Sequence, residues 1–179
     1  MQFCPEKREI GPEHIQFVHR KLTANFEKKE YNIYEREFKE VTDMAGIKEL
    51  IRSEADGSVS FGDYTLKEKT KLEDFPHEGD KLKVKTFNEI TRLEKNGLFI
   101  YESVPGTTVT EFKETEDGIS FKVEGNEDVQ ITVGLQEDTE YKVFVAGEQH
   151  GIIKTNLGGK LSFGAQLADA GVVEVKVIK

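Results

Sequence analysis

Tryptophan is absent from this chain of 179 residues, and there is a single cysteine, Cys4. One cysteine excludes an internal disulfide and any cysteine-rich zinc site. No apolar run approaches the roughly 18–20 residues that a membrane-spanning helix needs. A basic excess is also missing: the net charge is -9, which opposes binding to a phosphate backbone. The start of the chain, Met1-Gln-Phe-Cys-Pro-Glu-Lys-Arg8, lacks the apolar stretch of a secretory signal, so a cytoplasmic location is expected. What is present is enough for a core: 36% hydrophobic residues, with 12 Phe and 5 Tyr. Full disorder would need far fewer aromatic and β-branched residues.

Two patterns divide the chain near Met44. Before it, Pro12 and Glu13 suit the first turn of a helix. Ile15, Val18, Leu22 and Phe26 follow at spacings of three and four, and Tyr31, Tyr34, Phe38 and Val41 continue them. Residues 1–43 are therefore expected to form a helical extension, as one long helix or two short ones. Ile47, Leu50 and Ile51 are expected to finish a short helix.

Beyond residue 52, apolar and polar residues alternate, as in Ile119-Ser-Phe-Lys-Val123 and Val173-Glu-Val-Lys-Val177. Turn residues recur every 8–12 positions, among them Asp56-Gly57, Asn96-Gly97 and Asp117-Gly118. This spacing predicts an antiparallel all-β architecture. Strands are expected at 57–62, 64–70, 80–87, 98–104, 107–113, 118–124, 128–135, 139–146, 149–155, 160–167 and 172–178. Pro105-Gly106 is the best internal boundary. It gives a small antiparallel β unit over 44–104 and an immunoglobulin-like β-sandwich over 105–179.

Motifs that carry chemistry are scarce. His14, His19, His77 and His150 include no i, i+4 pair of the kind that holds zinc on a helix. The acidic turns at 114–117, 127–128 and 137–138 match no calcium-loop pattern. Asn156-Leu-Gly-Gly-Lys160 resembles a phosphate loop, but strands flank it, so a hairpin turn is expected. Tyr64, Tyr101 and Tyr141 could stack on a sugar ring, yet each is expected in a core or on a sheet face. The residues therefore point to no catalytic site, no metal and no cofactor.

From Met44 to Lys179 the chain resembles small bacterial proteins that carry the name endosialidase catalytic beta chain. The likeness lies in Met44-Ala-Gly-Ile-Lys-Glu-Leu-Ile-Arg-Ser-Glu-Ala-Asp-Gly57, Val84-Lys-Thr-Phe-Asn-Glu-Ile-Thr-Arg-Leu-Glu-Lys-Asn-Gly97, Tyr101-Glu-Ser-Val-Pro-Gly106 and Lys154-Thr-Asn-Leu-Gly-Gly-Lys-Leu-Ser-Phe163. It implies a short all-β protein and, by its name, a glycan-related enzyme subunit. Sialidases grip the substrate carboxylate with three arginines. The matching region holds Arg52 and Arg92, and no catalytic residue carries over position by position. Tyr141–Gly147, Lys154–Asn156, Gly159–Phe163 and the final Val-rich strand are also similar to the accessory β-sandwich ends of polysaccharide-degrading enzymes, where such modules are often structural and not catalytic; this likeness lends the glycan-related reading a carbohydrate connection without a mechanism.

The expectation drawn from these readings is a soluble, non-enzymatic binding or assembly module, whose strand edges and acidic surface meet a protein partner or a carbohydrate. A glycan-related enzyme subunit is the alternative, and a purely structural helper is the third reading.

Overall fold

The computed structural model describes residues 46–179, which belong to the compact unit Asp43–Lys179. The helical extension expected at 1–43 lies outside the described residues, as do Cys4, His14 and His19.

Thirteen strands follow in chain order: β1 (Ile51–Ser53), β2 (Val59–Phe61), β3 (Thr70–His77), β4 (Asp80–Phe87), β5 (Ile90–Lys95), β6 (Leu98–Val104), β7 (Thr108–Thr115), β8 (Gly118–Glu124), β9 (Val129–Gly134), β10 (Glu140–Val145), β11 (Glu148–Lys154), β12 (Lys160–Ala165) and β13 (Val173–Ile178). No helix occurs among the described residues, so none there is long and apolar enough to cross a membrane. The architecture is mainly β, and every strand pair is antiparallel. A seven-stranded sheet has the order β1-β2-β7-β8-β13-β10-β11, and a six-stranded sheet has the order β12-β9-β6-β5-β4-β3.

The alternation in the sequence becomes the core. Ile119, Phe121 and Val123 of β8 are buried, as are Val129, Ile131 and Val133 of β9 and Val173, Val175 and Val177 of β13. One continuous cluster takes residues from both sheets. At its centre Tyr101 of the six-stranded sheet meets Phe61, Phe112 and Phe121 of the other, edge-on, with ring centroids 5.4, 6.2 and 5.6 Å apart. Each such fully buried side chain contributes about 1.5–3 kcal/mol by leaving water.

A buried hydroxyl network ties the connection after β6 to its sheet. Thr107 Oγ1 lies 2.9 Å from Tyr101 Oη and 2.8 Å from Ser103 Oγ. Thr91 Oγ1 donates to Thr107 O at 2.7 Å and accepts from Thr107 N at 3.1 Å. Burial pushes the Tyr101 phenol up to about 12. A buried polar group left without a partner is costly, and these hydroxyls satisfy one another.

Several expectations are corrected here. Ile47, Leu50 and Ile51 do not finish a helix: Leu50 sits at φ 66, outside helical space, and Ile51 opens β1. Residues 64–69 of the strand expected at 64–70 are a loop. Asp63 starts it by accepting bonds from Thr65 N at 2.9 Å and Thr65 Oγ1 at 2.5 Å, and the strand runs instead from Thr70 to His77. β1 and β5 were not expected. β5 hides because its outward residues Ile90, Arg92 and Glu94 include an apolar one, while inward Thr91 is polar and buried. Sheet pairing runs across Pro105, with β2 beside β7 and β6 beside β9. Asn96-Gly97, at φ 51 and 81, joins β5 to β6 in the two-residue turn that needs positive φ at both positions.

Candidate interaction site

The two ends of the six-stranded sheet are built from different residues. At one end, β3 and β4 carry seven charged residues among their sixteen. β3 contains Pro76, and a bulge between Leu72 and Phe75 puts Asp74 at φ 57. Glu73 receives Lys71 Nζ at 3.1 Å and Lys83 Nζ at 3.2 Å, and Asp74 receives Lys81 Nζ at 3.2 Å. Hydrogen bonds from Lys71 and Lys83 hold the Glu73 carboxyl below its usual range. Charge, proline and a bulge are the devices by which an edge strand resists pairing with another chain.

At the other end, β9 and β12 carry one charged residue, Lys160, among their twelve. β12 runs in unbroken register with β9, from Lys160↔Gly134 to Ala165↔Val129. Among the described residues nothing pairs with its other side. Leu135 N donates to Gly159 O at 2.7 Å. In an antiparallel ladder bonded pairs alternate, so the backbone groups of Leu161, Phe163 and Ala165 face β9, and those of Lys160, Ser162 and Gly164 face away from it; the N–H and C=O of Lys160 are both taken by Asn156, which leaves Ser162 and Gly164 as the open positions. Side chains follow the same division: Leu161, Phe163 and Ala165 are 1%, 6% and 3% exposed, whereas Lys160, Ser162 and Gly164 are open to solvent.

Both ends of β12 are held by side-chain caps. Asn156 Oδ1 accepts from Gly158 N and Lys160 N, each at 2.9 Å. Asp128 Oδ1 accepts from Leu167 N at 3.1 Å and Ala168 N at 3.3 Å. Ser162 Oγ and Thr132 Oγ1 share a bond of 2.8 Å across the outer face, and Lys160 Nζ stands 4.5 Å over the Phe99 ring. The seven-stranded sheet ends in the three-residue β1 and in β11, whose register with β10 slips between Val143 and Phe144.

Beside the start of β12 the sheets part around a cleft of about 650 Å³, lined by Leu98, Phe99, Ile100, Ile119 and Leu135, with Gln136 and Lys179 at its rim. The Lys95–Glu114 ion pair links the two sheets there, and a second cleft of about 280 Å³ lies beyond it, against Asp56, His77 and Asp80. The first volume falls in the range of small-molecule pockets. Among the described residues no group of three or more His, Cys, Asp or Glu is placed to hold a metal ion.

The residues singled out in the sequence are dispersed. Arg52 Nε bonds Glu54 at 2.8 Å in the seven-stranded sheet. Arg92 lies in the six-stranded sheet, 3.0 Å from Glu94 and 3.5 Å from Glu102. His77 Nδ1 is 2.8 Å from Ser53 Oγ, and His150 is exposed on β11. Tyr64, Tyr101 and Tyr141 are buried. Asn156–Lys160 is a turn, but it crosses from β11 in one sheet to β12 in the other and is not a hairpin. Two features escaped the sequence reading. One is the half-buried Glu124, raised by burial, which accepts from Tyr64 Oη at 3.3 Å. The other is the edge position of β12, which depends on strand order and leaves no local signal.

No protein-family model matches the chain, and neither a curated protein nor a solved structure does.

Proposed function

We propose that this protein is a binding or assembly module whose working surface is the outer edge of β12. A partner strand adds there by backbone hydrogen bonds to Ser162 and Gly164. One observation carries this reading: a single sheet ends in a guarded edge at β3 and an unguarded one at β12. Main-chain bonds supply affinity in strand addition, and the alternate side chains supply specificity. The strand caps at Asn156 and Asp128 support it, because an edge fixed beforehand loses less freedom on pairing. The partner in this reading is a protein strand, and the two sheets around their common core serve as an immunoglobulin-like scaffold for the edge.

The test is amide exchange by NMR with a capped Thr-Val-Thr-Val-Thr-Val peptide as the probe strand. Slower exchange at Ser162 and Gly164, with β3 unaffected, is the expected outcome. Equal slowing on both edges, or none on β12, contradicts the reading.

A further inference from the structure

We infer that the strand added at β12 carries an aromatic residue opposite Gly164, with its ring laid over the glycine on the outer face of the sheet. The inference rests on the reading of β12 as a pairing edge and names the chemistry of the partner.

The first observation is Gly164 itself. Glycine inside a strand costs stability and often marks the close approach of another group. Gly164 has no left-handed φ, and a Cβ built there meets nothing within 4 Å. Its own fold therefore gives no reason for a glycine. The residue leaves a gap on the outer face, beside exposed Gln130 of β9 in the register Gly164↔Gln130. An aromatic ring from a neighbouring strand fills such a gap at a sheet edge, because it covers the backbone that glycine leaves bare.

The second observation is what surrounds the gap. In the next outward row, Ser162 Oγ and Thr132 Oγ1 satisfy each other at 2.8 Å and leave no equivalent space. The side-chain amide of Gln130, by contrast, makes no hydrogen bond among the described residues. A tyrosine ring over Gly164 points its hydroxyl toward that amide, which gives the polar tip a partner while the apolar body is covered.

The third is register. Asn156 holds the N–H and C=O of Lys160, at 2.9 and 3.0 Å, so an added strand finds open backbone only at Ser162 and Gly164. Antiparallel pairing makes both of these bonded pairs, with Cα atoms about 5.5 Å apart. The partner residue opposite Gly164 then comes two before the one opposite Ser162. The residue between them falls on the core side, against Phe163. The partner reads, in chain order, aromatic, apolar, then small and polar opposite the Ser162 hydroxyl, and its pairing ends opposite Leu161.

The experiment titrates the full chain with capped peptides and follows it by NMR. Thr-Val-Tyr-Val-Thr-Val sets its Tyr opposite Gly164 and its last Thr opposite Ser162. It is expected to bind about fivefold tighter than Thr-Val-Thr-Val-Thr-Val and to show nuclear Overhauser contacts from the ring to the Gly164 Hα protons. Thr-Val-Thr-Val-Tyr-Val is expected to gain less, because bringing its Tyr opposite Gly164 leaves no residue opposite Ser162. In Gly164→Val, which fills the gap, the ratio of the first two affinities is expected to fall to about one. A tyrosine peptide that binds no tighter than the Thr-Val peptide, or a gain that persists in Gly164→Val, overturns the inference. If the Thr-Val peptide then still slows exchange at Ser162 and Gly164, strand addition stands with a partner that is not aromatic there; if neither peptide slows it, both readings fall.

Discussion

β3 and β12 close the same sheet at opposite ends, yet they solve the edge problem in opposite ways. β3 is mostly exposed, bent by a bulge, interrupted by Pro76 and crossed by ion pairs to Lys81 and Lys83. β12 is regular, nearly uncharged and buried along its whole inner face. Exposure alone does not distinguish a working edge from a passive one. The distinction lies in what would have to be removed before another strand could dock. On β3 that is charge, twist and a missing N–H; on β12, past the Asn156 cap on Lys160, it is only water.

The largest effects should come from how firmly each edge is anchored. Phe163→Ala on β12 empties a site 6% exposed and should lower the unfolding free energy by about 3–5 kcal/mol. Phe75→Ala on β3 removes a ring only packed against the rim of the core and should cost about 1 kcal/mol. Urea unfolding of both variants measures the contrast, and equal losses would erase it.

The turns leading to the two edges come next. Gly159 precedes β12 at φ 69, and a Cβ there would stand 2.2 Å from Leu135 O. Gly159→Ala should cost about 2–4 kcal/mol, combining backbone strain with a clash against main chain. Gly79, between β3 and β4 at φ 92, has nothing within 4 Å of the same position. Gly79→Ala should cost about 1 kcal/mol, from strain alone. Thermal melts of the pair test this.

A smaller, pH-dependent difference follows from Glu73. Lys71 and Lys83 hold its carboxyl below the usual range, so its contribution is present above the ordinary carboxylate pKa and is lost as pH falls through the lowered folded value. Below that range β3 amides should lose protection, measured against their intrinsic exchange rates, while the amides within β12, a strand that contains no Asp or Glu, keep theirs. An NMR titration that found both edges loosening together would contradict the assignment.

The smallest effect on stability is the most specific. Ser162→Lys sits on an open surface and should change the unfolding free energy by less than about 0.5 kcal/mol. It should nonetheless abolish protection of β12 by the Thr-Val probe. Retained protection would show that charge on the edge does not govern pairing.

Much of the fold was legible from local pattern. Val129, Ile131 and Val133, like Tyr141, Val143 and Val145, alternate because one face of each strand is buried, and Asn96-Gly97 announces its turn by chemistry. The illegible parts had physical causes. Leu50 reads as helical by spacing, but its positive φ is set by the turn it makes, with its N–H bonded to Ile47 O at 2.7 Å. β3 buries too little for any alternation to appear. The candidate site was half visible: a strand was expected at 160–167, and β12 spans Lys160–Ala165. That it lies at an edge, with β9 on one side only, is decided by pairings between residues about thirty positions apart, such as Phe163↔Ile131. No local window contains that information.

The most direct measurement is amide exchange at Ser162 and Gly164, compared with the outward amides of β3, as the concentration of the capped Thr-Val peptide is raised from micromolar to millimolar. The account predicts that exchange slows about tenfold or more on β12 and stays constant on β3. Exchange on β12 that is independent of concentration, or that slows equally on both edges, would contradict it.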